Sequence, residues 1–225
     1  MIKEEKEEYK PEALAQRYGY NLEELKAEQG KLAKQLQIKD DKDFSEARIA
    51  GVYSVFSGNK IVSVAVLVDE DFEIIEQTYF QDKIRFPYIH GFRAYRELPG
   101  LTECIDKLEE KPDLIIVNAH GIAHERLGLA SHLSIVTGIP TIGVADELVS
   151  GELKDGKVYL NGKIVGEEVV SRPGSRPLYV SPGNLISLNT AIQIVKKTIK
   201  FPHKFPEPLH LAMRYAKQIR GELSV

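Results

Sequence analysis

From Pro11 to Lys39 the apolar residues Leu14, Leu22, Leu25, Leu32 and Leu36 recur at helical spacing with charges between them, which predicts a helical segment. Asn21 reads as an N-cap, with Glu24 three residues on to close a capping box. The period then changes. Ile49 to Phe56, Lys60 to Val68 and Phe72 to Phe80 are apolar and rich in β-formers. The polar breaks Ser57-Gly58-Asn59 and Asp69-Glu70-Asp71 separate them, so the three runs predict an antiparallel meander. An aromatic stretch, Phe86 to Pro99, leads into a helix that runs towards Leu108.

Asp113 to Val117 is continuously apolar after its first residue, as a buried parallel strand requires. A helix follows over Leu127 to Thr137 and stops at Gly138-Ile-Pro140; Thr141 to Ala145 is a second buried strand. Lys157 to Val165 predicts a hairpin turning at Asn161-Gly162, Leu178 to Val180 another strand, and Ser187 to Ile199 a helix capped by Ser187. A meander followed by alternating strands and helices gives an α/β class: one mixed sheet, antiparallel meander plus parallel strands, flanked by helices. That order is the ribonuclease H-like one. We read residues 1–225 as one domain, with an N-terminal helical segment (1–40), a core (45–200) and a C-terminal helix (207–220).

Composition changes this picture little. Hydrophobic residues make up 43% and charged residues 28%, as in ordinary globular proteins. No apolar run approaches the roughly 18–20 residues of a membrane span. The start, MIKEEKEEYK, is too charged for a signal peptide, and the single cysteine, Cys104, has no partner for an internal disulfide. These features predict a cytoplasmic protein. The net charge is −3, but residues 150–225 carry 12 basic and 6 acidic groups. Lys154, Lys157, Lys163, Arg172, Arg176, Lys196 and Lys197 are therefore candidates to meet phosphates, or simply a solvated surface.

Four segments carry a resemblance. Phe86-Pro-Tyr-Ile-His-Gly-Phe-Arg-Ala-Tyr-Arg-Glu97 is similar to the stretch FPYIPGFLAFRE of the endonuclease V family. Asn118-Ala-His-Gly-Ile-Ala-His-Glu-Arg126 and the following Gly128-Leu-Ala-Ser-His132 resemble its DGHGIAHPR and GLASH. Ile139 to Ala145 resembles IPTIGVAK, and Tyr179-Val-Ser-Pro-Gly-Asn184 resembles YVSPGH. Order and spacing agree from about Leu32 to about Arg220. The resemblance implies a nuclease that flips inosine out of the stack and hydrolyses the second phosphodiester on its 3′ side, using Mg2+ or Mn2+. DNA or RNA is the implied partner.

Such hydrolysis needs a hard cation held by carboxylates to screen the phosphate and activate water. Carried over position by position, the family's active-site places fall on Tyr53, Glu97, Asn118, Asp146 and Asn184. Of these only Glu97 keeps the family's residue. Tyr53 and Asn118 stand where the family has metal-binding aspartates, Asp146 where it has lysine and Asn184 where it has histidine. Glu97 and Asn118 remain as weak or absent metal ligands. Asp146 could rebuild a different site with Glu97 and Asn118, and His120 and His124 lie near in sequence. On the binding side the resemblance places a base-gap wedge at Tyr88 and the base pocket around His90, Gly91, Arg93, Ala119, Gly121 and His124. Three readings follow: a nucleic-acid binder with cleavage lost or strongly weakened, an active nuclease with a rebuilt metal site, and an interaction or scaffold protein using the charged N-terminal segment from Glu4 to Lys39.

Overall fold

The computed structural model describes residues 10–223. The N-terminal pattern becomes two helices, α1 (Pro11–Arg17) and α2 (Leu22–Ala33), and not one continuous stretch. Gly19, at φ +82°, turns the chain between them, and Asn21 Oδ1 caps α2 by accepting from the Glu23 N–H at 3.0 Å. Glu24 reaches the Asn21 side chain and not its backbone, so the capping box is only half made. The part of the charged segment from Glu4 to residue 9 lies outside the described residues.

The meander forms as β1 (Ile49–Ser57), β2 (Lys60–Val68) and β3 (Ile74–Lys83). The third strand starts later than its apolar residues suggest. Phe72 is held at φ +65° in a turn where the Asp69 carboxylate accepts from the N–H groups of Asp71 and Glu73. Helix α3 (Arg93–Asp106) starts inside the aromatic stretch, because Pro87 and the positive-φ Gly91 keep the residues up to Phe92 in a loop. There follow β4 (Leu114–Val117), α4 (Leu129–Thr137), β5 (Thr141–Ala145), β6 (Glu152–Lys154), β7 (Lys157–Leu160), β8 (Lys163–Val169), β9 (Leu178–Asn184), α5 (Leu188–Thr198) and α6 (Glu207–Glu222). The β7–β8 turn is made by Asn161 and Gly162, both at positive φ, as an Asn-Gly hairpin requires. β6, three exposed residues, carries no apolar alternation that could have announced it.

The nine strands among the described residues join in one sheet, in the order β3-β2-β1-β4-β5-β9-β8-β7-β6. β1, β4 and β5 are parallel; the other pairings are antiparallel. Ala50, Val52, Ala65, Leu67 and Ile115 face one side, where Leu101 and Ile105 of α3 and Leu133 of α4 cover them. Val62, Val64, Val66, Leu114, Ile116 and Ile142 face the other, against α5 and α6. Both faces are thus dry, which is why β2, β4 and β5 read as unbroken apolar runs. Each fully buried Leu or Ile is worth about 1.5–3 kcal/mol of transfer free energy. Among the described residues no helix is long and apolar enough to cross a membrane.

Candidate nucleic-acid site at the strand ends

The parallel strands leave a crevice beyond their carboxyl ends, the usual place for a ligand in an open α/β sheet. Register fixes what stands there. Val52 pairs with Val117, and Val117 with Gly143, so Tyr53, Asn118 and Val144 form the next row across three strands. Asn118 Nδ2 donates to the Val144 carbonyl at 3.1 Å, spending its amide on the neighbouring strand. The chain then turns tightly. The Gly121 N–H donates to Ser181 Oγ at 2.8 Å, and Ile122 N–H to the Pro182 carbonyl at 2.9 Å. This turn lies directly on Gly143, where a Cβ would stand 2.5 Å from the Ala119 carbonyl oxygen and 2.6 Å from the Gly121 nitrogen.

The opposite wall is the loop before α3. Phe86, Ile89 and Phe92 are buried with Ala15 and Leu22. The Gly91 carbonyl accepts from Gln29 Nε2 at 3.0 Å and Arg126 Nη2 at 3.3 Å, and Arg126 Nε donates to Gln29 Oε1 at 2.8 Å. Gln29 is fully buried, so this clamp sets the loop by a residue 62 positions away in sequence. Gly91 itself has φ +80°, and a Cβ there would meet the Arg126 guanidinium. The clamp leaves Tyr88 62% exposed at the cavity mouth, with His90 exposed beside it.

Between these walls lies a cavity of about 190 Å³, lined among others by Tyr88, His90, Gly91, Arg93, Asn118, Ala119, His120, His124 and Asp146. That is below the roughly 300 Å³ at which drug-sized ligand pockets begin, and suits one flat ring system. His120 is 9% exposed, and its buried Nε2 has no hydrogen-bond partner. Burial holds its pKa below the ordinary histidine value, which favours the neutral ring, and the residue lines the cavity. His124 Nδ1 accepts from the Arg126 N–H at 3.1 Å; burial, helped by Arg126, lowers its pKa to about 4.

That last shift predicts a pH effect. Between about 4 and 6.5 the unfolded chain holds a proton on His124 that the folded protein does not, so stability falls as pH drops through that window. The contribution is about 2–3 kcal/mol. Urea unfolding of wild type and His124→Gln at pH 7 and about pH 4.5 should show the variant losing less stability on acidification. An equal loss in both would remove His124 from the account.

Glu97, 3% exposed on α3, does not face an open cleft. Arg93, one helical turn earlier, donates to both of its oxygens, Nε to Oε1 at 2.5 Å and Nη2 to Oε2 at 3.2 Å. Tyr53 packs against the apolar cluster on the α6 side. Burial raises its pKa above 10, and Arg93, Glu97 and Asp146 all act electrostatically on its hydroxyl. Tyr53, Arg93, Glu97, Asn118 and Asp146 thus gather at one end of the sheet. Asn184 does not. It is level with Thr141, at the far end of β5 from Asp146, and its Oδ1 accepts from the Gln37 N–H at 2.7 Å. Among the basic candidates, Lys154 pairs with Glu152, Lys196 with Glu167, and Arg172 donates to the Pro202 carbonyl. Sequence reasoning missed Gln29 and gave Arg126 no role. Arg126 stands in a quoted motif, whereas nothing local marks Gln29.

The family model for endonuclease V matches residues 30–214. The chain belongs to the endonuclease V family. It is 38% identical over 202 residues to the endonuclease V of Dictyoglomus turgidum, covering 85% of this chain and 87% of that one. With that of Thermofilum pendens it shares 34% over 204 residues, 88% of each. Among solved structures, the Streptomyces avermitilis endonuclease V superposes with a TM-score of 0.84 at 26% identity, over 90% of this chain and 94% of that chain. The Ciona intestinalis endonuclease V, solved with a 24mer DNA containing an inosine, shares the fold at a TM-score of 0.82 and 22% identity, over 90% and 98%.

Endonuclease V is a metal-dependent nuclease, yet the residues at this site do not fit a divalent cation. Among the described residues no group of three or more His, Cys, Asp and Glu side chains could hold one. Glu97 gives both oxygens to Arg93, the Asn118 amide carries no charge, and Tyr53 is a neutral phenol with a raised pKa. A hard cation needs several oxygen ligands, preferably anionic, and these side chains offer none free and charged except Asp146.

Proposed function

We propose that this endonuclease V binds inosine-containing or otherwise irregular DNA or RNA in the strand-end cavity, with metal-dependent phosphodiester cleavage lost or strongly weakened. The observation that carries the binding half is the cavity between exposed Tyr88 and the unpartnered Nε2 of buried His120. A base swung out of its stack leaves a gap that an aromatic ring can fill, and its edge is read by hydrogen bonds inside a closed pocket. A neutral imidazole nitrogen can hydrogen-bond the edge of a purine base such as hypoxanthine. The inosine-containing DNA bound by the Ciona intestinalis protein agrees with this ligand class. The Arg93–Glu97 pair, with Tyr53 and Asn118 at the aspartate places, supports the loss of cleavage.

Fluorescence anisotropy with a single-inosine strand and its inosine-free counterpart tests the binding half. Wild type should prefer the inosine strand, and Tyr88→Ala should weaken that binding by about tenfold, the scale of one lost base–aromatic contact. Equal affinity for both strands, unchanged by Tyr88→Ala, would overturn the reading. A second reading, an active nuclease with a site rebuilt from Glu97, Asp146 and Asn118, is favoured by one observation: Asp146 and Asn118 line the same cavity.

A further inference from the structure

Arg93 is placed to do more than line a base pocket. Its partner is on its own helix, four residues on, so the pair forms wherever α3 forms. The arrangement is layered: the Glu97 side chain is 4% exposed, and the Arg93 side chain, 38% exposed, lies over it and lines the cavity. Glu97 uses two of the guanidinium's five N–H groups, which leaves three for another acceptor. A carboxylate-lined cleft without metal repels phosphate. Here Glu97 is sealed and neutralised, its neighbours Tyr53 and Asn118 are uncharged, and beside the exposed Asp146 and Glu147 of the cavity rim Arg93 supplies a permanent cation with a fork that fits phosphate oxygens.

We propose that Arg93 takes the place of the divalent cation at this site, holding a phosphodiester of the bound strand without metal and keeping metal from Glu97. The proposal rests on the nucleic-acid reading above, but the two can fail separately. A metal ion could reach Glu97 only by pushing the guanidinium aside, leaving two positive charges together in a half-dry cleft with one carboxylate between them.

The experiment has two arms. In the first, metal-free protein without nucleic acid is titrated with manganese chloride and the free ion is followed by electron paramagnetic resonance. The expected result is no bound manganese up to millimolar concentration; binding at micromolar concentration would overturn the proposal whatever the protein does with DNA. In the second, a labelled single-inosine oligodeoxynucleotide is bound in EDTA and in manganese. Wild-type affinity should agree within about twofold between the two, and a collapse in EDTA would overturn the proposal. Removing Arg93 alone would strand a buried carboxylate, so the variant for this arm is Arg93→Met/Glu97→Met, since apolar replacement of a whole buried pair is commonly tolerated. It should fold with the wild-type circular dichroism spectrum and bind the oligonucleotide about tenfold or more weakly in EDTA, the scale of one charged hydrogen-bonding group. Arg93→Lys, which keeps the charge and loses the fork, should fall between them. Undiminished affinity in the double methionine variant would show that phosphate is held elsewhere. If no strand binds wild type even at low salt, the nucleic-acid reading fails, and the manganese titration still decides whether Arg93 excludes metal.

Discussion

A Tyr53→Asp/Asn118→Asp/Arg93→Leu variant is expected to cut a labelled single-inosine DNA strand in manganese at least about 10³-fold faster than wild type. The size follows from what metals do in phosphodiester hydrolysis: they neutralise the crowded phosphate, supply hydroxide near neutral pH and stabilise the leaving oxygen. None of the three can operate where the buried carboxylate of the site, Glu97, is held by an arginine. The substitutions address three separate defects. Asp at 53 and at 118 places two anions in the row that register sets across β1 and β4. Leu at 93 releases both oxygens of Glu97, so three carboxylates face one space. The Tyr53→Asp/Asn118→Asp variant, with Arg93 kept, should lie between, because its guanidinium still competes with metal for Glu97. Wild type cutting as fast as the triple variant would overturn the account and favour the site rebuilt from Glu97, Asp146 and Asn118. Failure of all three while inosine-strand binding persists would mean that cleavage needs groups beyond these.

Much of this was legible in the chain, for definable reasons. Runs such as Leu114–Val117 and Thr141–Ala145 are strands because both sheet faces are covered, and unbroken apolar sequence announces that directly. The motif residues Tyr88, Gly91, Asn118 and Ala119 meet in one cavity because β4, β5 and the start of α3 converge there. What stayed hidden depends on direction and distance. Arg93 reads as one residue of a base pocket, and only the helix geometry shows its guanidinium on Glu97. Asn184 belongs to a quoted motif, yet β9 is antiparallel to β5 and carries it to the far end of the sheet. The Pro11–Lys39 stretch has helical spacing throughout, and a single positive-φ glycine breaks it. Gln29 is a polar residue on a charged helix, and its burial depends on a loop that follows three strands later.

Gly143→Ala is expected to destabilise the protein by about 3 kcal/mol and to weaken inosine-strand binding by more than tenfold. The added Cβ would lie 2.5 Å from the Ala119 carbonyl oxygen, 2.6 Å from the Gly121 nitrogen and 2.8 Å from the His120 carbonyl carbon. All three are backbone atoms, so no side-chain rotation relieves the clash. Either β5 must leave its register with β4, or the turn that presents Asn118 and His120 to the cavity must lift. Gly30→Ala is the contrast, since nothing lies within 4 Å of a Cβ there and alanine favours helix α2 by up to about 1 kcal/mol. Urea unfolding of the two variants beside wild type reads the stability difference, and anisotropy reads the binding. A Gly143→Ala protein that unfolds like wild type and binds like wild type would show that the turn yields without cost. The cavity would then not depend on the close approach of these two chain segments. If stability falls while binding holds, the turn has kept its shape and the strand has absorbed the strain, which would place the weakness in the β4–β5 pairing and leave the ligand pocket intact.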